Sequence, residues 1–416
     1  MIKAPKGTAD LFGRTAAAWR QTENVIHRLC LDFCYGEIRT PTFEFTELYR
    51  RGVGEGTDVV QKEMFTFDDR GGRSLTLRPE MTAGVARAYV ENGMFSLPQP
   101  LKLYYIANAF RAERPQAGRM VELHQFGAEF IGSYSAAADA EVIALAHEFL
   151  RRLNVKNVEL RINSIGCPEC RPGYIAALNA FLAVRADRLC PVCRERSTRN
   201  PLRVLDCKDE NCRRIAAEAP SVLDYLDEGC SAHFDELKSR LGAMGIPFTV
   251  DPKIVRGLDY YTRTVFEFVS PDLGGQSTVC GGGRYDGLIA EVGGAPSGAC
   301  GFGLGLERLL IILEKQGNLP VAKFGADVFV GHVGDAGEIR AQTLTHDLRR
   351  RGIRAETDAL GRGVKAQIRH ADRIGAKYSL FIGENEIATG VVRVKDMLSQ
   401  CEREVTLGEV HAFITK

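Results

Sequence analysis

Two segments with strand-like alternation, LKLYYIANAFR (101–111) and VELHQFGAEFIGS (121–133), carry polar chemistry on one face. Alternate side chains of a strand share a face, so Tyr105, Ala107, Ala109 and Arg111 align, as do Leu123, Gln125, Gly127 and Glu129. Phe126 and Phe130 then point the other way. A solvated sheet face is the ordinary reading of such a pair. Here small residues leave space beside Arg111, opposite Gln125 and Glu129, which is what a platform for a flat ligand requires. The loop between the strands holds Glu113, Arg114, Gln116 and Arg119. Guanidinium forks bind two oxygens at once, so arginines here could clamp a polyphosphate, although an isolated hairpin tip would look the same.

Further candidates come from distant sequence. RGLDYYTRT (256–264) offers Arg256, Tyr260 and Tyr261 ahead of a strand, and adjacent tyrosines on extended backbone would face opposite ways. Arg308 sits in the first turn of the helical segment GLERLLIILEKQ, where the helix dipole favours an acid, so this cation has a purpose outside helix stability. Glycine density in CGGGRYDGL and GACGFGLGLER implies close approach of backbone to a ligand or another segment. Neither a Walker lysine nor a strand–GxGxxG–helix context is present.

Twelve cysteines are many for a chain that begins without a secretory signal, so thiols or metal ligands are expected over disulfides. Cys167-x2-Cys170, nineteen residues, then Cys190-x2-Cys193 match zinc-ribbon spacing, and four thiolates suit tetrahedral Zn²⁺. Cys207 and Cys212 are alternative ligands, and free thiols in a helical insert are the competing reading.

The elements that must position these residues follow from periodicity. Apolar spacing predicts a helix over 15–33, a hairpin turning at Arg70-Gly71-Gly72, and a helix from Thr82. With the two long strands this gives an α+β catalytic domain built on an antiparallel sheet, residues 1–166. Residues 167–245 break the pattern as an inserted Cys-containing helical module, and the sheet resumes over 246–322. After a linker, strands alternate with helices over 326–416, marking a small α/β domain. In that domain residues 349–377 hold nine Lys/Arg against three acids. Lys365, Arg369 and Arg373 stack on one face of a helix, with Val364, Ile368 and Ala371 on another. A basic face of this kind is either simply solvated or captures a nucleic-acid backbone.

Length and composition agree with two or three domains of a soluble globular chain, 45% hydrophobic and 26% charged over 416 residues. No stretch approaches the length of a membrane span, so a cytoplasmic protein with no membrane partner is expected. A net charge of only +1 means that any nucleic acid must be held by local patches.

FRAERPQAGR with LHQFGAEF resembles the second signature motif of class II aminoacyl-tRNA synthetases in its histidine-specific form, and GFGLGLERL resembles the third. RGLDYYTRTVFEF and CGGGRYDGL are similar to two blocks peculiar to histidyl-tRNA synthetases. KGTADLFG, GTDVVQKEMFTF and SLTLRPEMTAG extend the resemblance over essentially the whole chain, and NPLRVLDCK matches the family's insertion. The resemblance implies a histidine–tRNA ligase acting through histidyl-adenylate, with ATP, its Mg²⁺, L-histidine and tRNA(His) as reactants. It implies a homodimer with the segment around Pro41 at the interface, and a C-terminal anticodon-binding domain.

At matching positions it implies that Arg111 binds the α-phosphate, that Arg119 and Arg308 hold the β- and γ-phosphates, and that Glu113 also belongs to the ATP-binding set. Glu80, Thr82 and Gln125 would receive the α-amino group of histidine. Glu129 and Tyr261, with Tyr260, would surround the imidazole. Arg256 would contact the histidine carboxylate and the α-phosphate in place of a catalytic metal ion. Two positions depart from the family pattern: Val121 stands where a second arginine is common, and Gly13 where proline is usual, the latter read as without consequence. The competing reading is a catalytically inactive, histidine-binding regulatory paralogue, which would lack the C-terminal domain and parts of these motifs.

Overall fold

In the computed structural model, every residue is described except 1, 55, 56, 58, 116–118, 206, 208, 275, 276, 321–324 and 416, so Gln116 lies outside the described residues. The chain divides into two compact units, Met1–Pro320 and Val321–Lys416. Among the described residues no helix is long and apolar enough to cross a membrane.

The first unit opens with α1 (Gly13–Asp32), β1 (Gly36–Glu37), β2 (Phe43–Phe45) and α2 (Thr46–Val53). The hairpin β3 (Phe65–Asp68) and β4 (Ser74–Leu77) and helix α3 (Thr82–Glu91) follow. Then come the long strands β5 (Leu101–Phe110) and β6 (Glu122–Ile131), helix α4 (Ala136–Arg152) and β7 (Glu159–Ser164). Helices α5 (Arg171–Ala183), α6 (Pro191–Arg199), α7 (Leu202–Leu205), α8 (Glu210–Ala217) and α9 (Glu228–Ala243) intervene. The unit closes with β8 (Thr249–Val250), β9 (Thr262–Val269), β10 (Thr278–Arg284), α10 (Leu288–Glu291), β11 (Ala299–Gly305) and α11 (Leu306–Lys315).

Eight strands form one sheet in the order β1-β5-β6-β11-β10-β9-β7-β8. Its six central strands are antiparallel as expected, but both end pairs, β1 with β5 and β7 with β8, are parallel. Helix-containing crossovers lead to both two-residue end strands, and such connections permit parallel pairing. The sheet separates two apolar clusters. Beneath it, Phe126, Ala128 and Phe130 of β6 and Phe302 and Leu304 of β11 pack with α1, α4, α9 and α11. Above it, Tyr105, Tyr260, Tyr261 and Tyr285 pack with α3 and α10.

The α5–α8 stretch has a small core of its own around Tyr174, Leu178, Val204 and Ile215. In α9, Phe234, Leu237 and Leu241 belong instead to the main cluster below the sheet. At the entry to α1, Gly13 adopts φ +56°. A proline ring fixes φ near −65°, so glycine here gives the helix an entry that proline cannot.

A separate sheet, β2-β4-β3, leaves Phe43, Phe45, Phe65 and Phe67 between 36% and 53% exposed.

The second unit comprises β12 (Val328–His332), α12 (Gly334–Arg350), β13 (Ala355–Thr357), α13 (Val364–Arg373), β14 (Tyr378–Ile382), α14 (Glu384–Thr389), β15 (Val391–Asp396), β16 (Glu402–Thr406) and α15 (Val410–Ile414). Its sheet runs β13-β12-β14-β15-β16, parallel through β14 and antiparallel after it. On α13, Lys365, Arg369 and Arg373 are exposed, but so are Val364 and Ile368; the buried positions are Gln367 and Ala371. The Gln367 amide accepts from His332 N at 2.9 Å and donates to His332 O at 3.0 Å, extending the end of β12 like a strand partner. That pairing turns the helix so that its apolar positions 364 and 368 stay outside.

Candidate active site

The register of the central strands fixes the site. Pairing of β5 with β6 sets Ala107 opposite Gln125, Tyr105 opposite Gly127 and Leu103 opposite Glu129. Across the other edge of β6, Gly303 pairs with Gly127, a Cβ on Gly303 would come 3.2 Å from Gln125 Oε1, and Gly301 lies opposite Glu129. A Cβ on Gly127 would sit 2.2 Å from the Tyr105 ring, and one on Gly301 would sit 1.8 Å from Glu129 Oε2. On β10, a Cβ at Gly281 would meet the Arg256 guanidinium at 2.5 Å, and one at Gly283 the Tyr261 ring at 2.9 Å. The glycine density of both segments therefore makes room for the site's own side chains to lie flat on the sheet.

Glu129 is completely buried. Its carboxylate accepts from Thr82 Oγ1 at 2.7 Å, from Tyr105 OH at 3.1 Å and from Tyr285 OH. Burial pushes its carboxyl up to about 8, although the hydroxyls favour the charge and Glu80 opposes it. Glu80, also buried, accepts from Thr82 N at 2.8 Å and Ala83 N at 3.0 Å, satisfying donors at the start of α3. Burial raises its carboxyl as well.

Tyr260 and Tyr261 do not face opposite ways. Residues 257–260 bend and turn, so the extended alternation expected there does not apply, and the two buried rings lie 4.7 Å apart. The Tyr260 ring is also 5.6 Å from that of Tyr285. Arg171 donates to Tyr261 O at 2.6 Å, anchoring the turn to the start of α5.

Arg256 lies 5.8 Å from the Tyr261 ring centroid and pairs with Glu267 of β9, whose backbone is opposite Gly281. Burial works against its charge, and Glu267 with Tyr261 and Tyr260 more than offsets this, so its pKa is raised. Arg256 also lines an open cavity of about 1080 Å³ whose wall includes Arg111, Arg119, Arg308, Glu267 and Thr278. Arg111 Nε donates to Pro79 O at 2.9 Å, tying it to the Glu80 segment. Arg119 pairs with Glu113 at 2.8 Å, and Arg308 donates to Thr278 O at 2.6 Å. Burial, then Arg119 and Arg111, lower the Arg308 pKa: three like charges face one space. Such a cavity suits a polyanion, and a carboxylate beyond it, buried among hydroxyls, suits a small polar side chain.

The acid that the dipole of α11 prefers is Glu307, which accepts from His124 N at 2.9 Å and contacts His124 Nδ1 at 2.8 Å, leaving Arg308 to the cavity. Val121, in place of the second arginine, packs against Gly7 (φ +86°), where a Cβ would approach Val121 Cγ2 to 2.5 Å. Sequence reading missed Tyr285 and Glu267. Both were within reach: Tyr285 continues the alternation of Gly281 and Gly283, and Glu267 is the acid within the apolar strand TVFEF.

The four cysteines proposed as one zinc set do not converge. Cys190 and Cys193 gather with Cys207 and Cys212, whereas Cys167 and Cys170 gather with Asp227 and Cys230. The spacing mimicked a ribbon, but α5 separates the two Cys-x2-Cys turns and each finds its partners elsewhere in the chain.

Comparison with known proteins identifies the family. Residues 7–169 and 195–309 match the family model of histidyl-tRNA synthetase, and residues 327–416 match that of an anticodon-binding domain. The chain is 49% identical to the histidine–tRNA ligase of Caldanaerobacter subterraneus subsp. tengcongensis over 414 residues, 100% of this chain and 99% of that one. Identity is again 49% with the corresponding ligase of Acetivibrio thermocellus, over 98% of each chain. Among solved structures, apo S. aureus histidyl-tRNA synthetase superposes with a TM-score of 0.84 at 36% identity, covering 100% of both chains.

Proposed function

The chain belongs to the histidyl-tRNA synthetase family, and on that basis we propose how its side chains divide the work. It is a histidine–tRNA ligase, converting ATP, L-histidine and tRNA(His) to histidyl-tRNA(His), AMP and diphosphate through histidyl-adenylate. One arrangement carries the assignment of roles: a carboxylate buried among hydroxyls, joined through Arg256 and Tyr261 to an arginine-lined cavity.

Histidine binds with its imidazole between Glu129 and Tyr261, over the glycine floor and beside Tyr260. One ring nitrogen donates and the other accepts, so a carboxylate and a phenol distinguish this side chain from apolar ones. Glu80, Thr82 and Gln125 receive the α-amino group. ATP enters the cavity with its α-phosphate on Arg111 and its β- and γ-phosphates on Arg119 and Arg308, with Glu113 holding Arg119 in place. Arg256 spans the histidine carboxylate and the α-phosphate. The carboxylate oxygen attacks the α-phosphorus as the bond to the leaving diphosphate breaks. The arginines then stabilise charge that grows in the transition state, and no protein nucleophile is required. The terminal ribose hydroxyl of the tRNA next attacks the adenylate carbonyl and releases AMP.

Mg²⁺ comes with ATP and is held chiefly by its phosphates, since Glu267 and Glu113 are engaged with Arg256 and Arg119. The four exposed phenylalanines of the β2-β4-β3 sheet, next to Pro41, form the face of a homodimer. Twelve unbridged cysteines suit the reducing cytoplasm, where translation consumes the product. A non-catalytic regulatory role would leave Arg111, Arg119 and Arg308 without a purpose. The test is ATP–diphosphate exchange with each of the twenty amino acids: exchange with histidine alone is expected, and equal exchange with another would overturn the assignment.

A further inference from the structure

We propose that the helical insertion carries two zinc ions, one held by Cys190, Cys193, Cys207 and Cys212, the other by Cys167, Cys170, Cys230 and Asp227. Within each group the candidate ligand atoms all lie within 4.8 Å of one another. Tetrahedral zinc with bonds of about 2.3 Å to sulfur spaces its thiolates roughly 3.8 Å apart. Cys190 and Cys207 sulfurs are 3.9 Å apart, Cys170 and Cys230 3.8 Å, and Cys167 and Cys170 3.5 Å, with all of these cysteines unbridged.

Backbone donors face three of these sulfurs. Cys190 N donates to Cys212 Sγ at 3.2 Å, Cys193 N to Cys190 Sγ at 3.4 Å, and Cys167 N to Cys170 Sγ at 3.0 Å. Backbone donors of this kind orient metal ligands and stabilise their charge. Asp227 uses one oxygen to cap α9, accepting from Cys230 N at 2.6 Å, and turns the other towards Cys167 Sγ at 2.9 Å. Each site thus joins a Cys-x2-Cys turn to a second pair close together in sequence, Cys207 with Cys212 or Asp227 with Cys230. The second site ties the start of α5 to the start of α9, and the first ties α6 to α8 within the small α5–α8 core. Modules of this size seldom stand on apolar burial without a staple. Cys170, Cys190 and Cys193 lie between the two stretches matched by the family model, so family membership does not itself supply these ligands.

The second site also touches the proposed histidine pocket, and this part of the inference rests on that reading. Arg171, next to Cys170, donates to Tyr261 O, and Arg263 N donates to Gly166 O at 2.8 Å. Gly166 adopts φ +71°, and a Cβ there would meet Cys170 Sγ at 2.6 Å. An ion at this site would fix the turn that presents Tyr261.

Elemental analysis of the full-length protein, purified without metal-affinity resin, should give two zinc equivalents per chain. Cys212→Ser and Cys230→Ser should each remove about one, and the double variant both. Release of zinc from the native protein should follow titration of its thiols, a readout that does not depend on any variant folding. One equivalent or fewer, iron in place of zinc, or either single variant retaining both ions would overturn the assignment. Cys230→Ser should also raise KM for histidine about tenfold while Cys212→Ser leaves it unchanged. Equal KM in both would remove the link to Tyr261. Two zincs in a protein without histidine-dependent exchange would instead overturn the pocket assignment and leave the metal sites standing.

Discussion

A carboxylate buried on the face of a sheet with three hydroxyls is costly unless its charge is used. Glu129 titrates near 8 in the folded protein against an ordinary value of 4.5, because burial outweighs the hydroxyl donors. Between those values the native state keeps a proton that the unfolded chain releases. Its contribution to stability is therefore fully present below about 4.5 and is lost as pH rises through about 8. Glu129→Gln should remove this slope: measured by denaturant unfolding without ligands, the variant gains on the parent from pH 5 to 8.5, and parallel profiles would refute the burial argument. The same change should lower kcat/KM for histidine in exchange by roughly 10- to 100-fold, the worth of one hydrogen bond to a charged group. Arg308 makes the complementary case. Its charge faces Arg111 and Arg119, so Arg308→Ala should leave the ligand-free protein within about 1 kcal/mol of the parent while raising KM for ATP by roughly 10- to 100-fold. A loss of stability several times larger, with KM unchanged, would make Arg308 a structural residue.

Strands β10 and β11 bring these side chains to one surface, and their glycines are not interchangeable. Gly281 yields to a guanidinium tip, whereas a Cβ on Gly282, on the opposite face, would lie 2.2 Å from Gly301 O and 2.8 Å from the Phe266 ring. Gly281→Ala should therefore keep its unfolding midpoint but displace Arg256, with exchange falling about 100-fold, the usual penalty for a misplacement of about 1 Å. Gly282→Ala should instead cost about 1–3 kcal/mol of stability through overpacking. The reverse pattern in thermal melts and exchange rates would sink the account of the glycine floor. Strand alternation put Gln125 and Glu129 on one face of β6, because a period of two leaves little freedom once Phe126 and Phe130 must be buried. It did not place Arg111 opposite them: β5 ends at Phe110, Ala107 and Leu103 face Gln125 and Glu129, and Arg111 N donates to Val121 O at 2.8 Å. Alternation failed where backbone left the period. The turn at 257–260 puts Tyr260 and Tyr261 together, and the cysteine pairing depends on which helices meet, which local spacing does not encode. The buried set of Asp139, Arg284 and His233 was likewise invisible, since its members come from three separate elements.

At the scale of the whole chain, two surfaces can be tested for the macromolecular contacts proposed above. If the exposed phenylalanines of β2 and β3 form the dimer face, Phe45→Asp with Phe67→Asp should halve the mass seen by light scattering; an unchanged dimer would place the interface elsewhere. The second unit has its own sheet and core, and its basic residues can be tested by substitution. Ion pairs already occupy part of the charge: Arg349 pairs with Glu356, Arg354 with Asp327 and Arg362 with Asp358. Lys365, Arg369 and Arg373 remain exposed on α13, and among the described residues they have no ion pair. Each phosphate contact contributes about −0.7 to −0.9 to the slope of log affinity against log salt. Replacing all three by glutamine should therefore flatten that slope for tRNA(His) by about 2–3 and raise KM for the tRNA. Histidine-dependent exchange, which needs no tRNA, should not change. An unchanged salt slope would mean that this face is merely solvated. The neighbouring Val364 and Ile368, left exposed by the Gln367 pairing, would then be the better candidates for contact with unstacked bases.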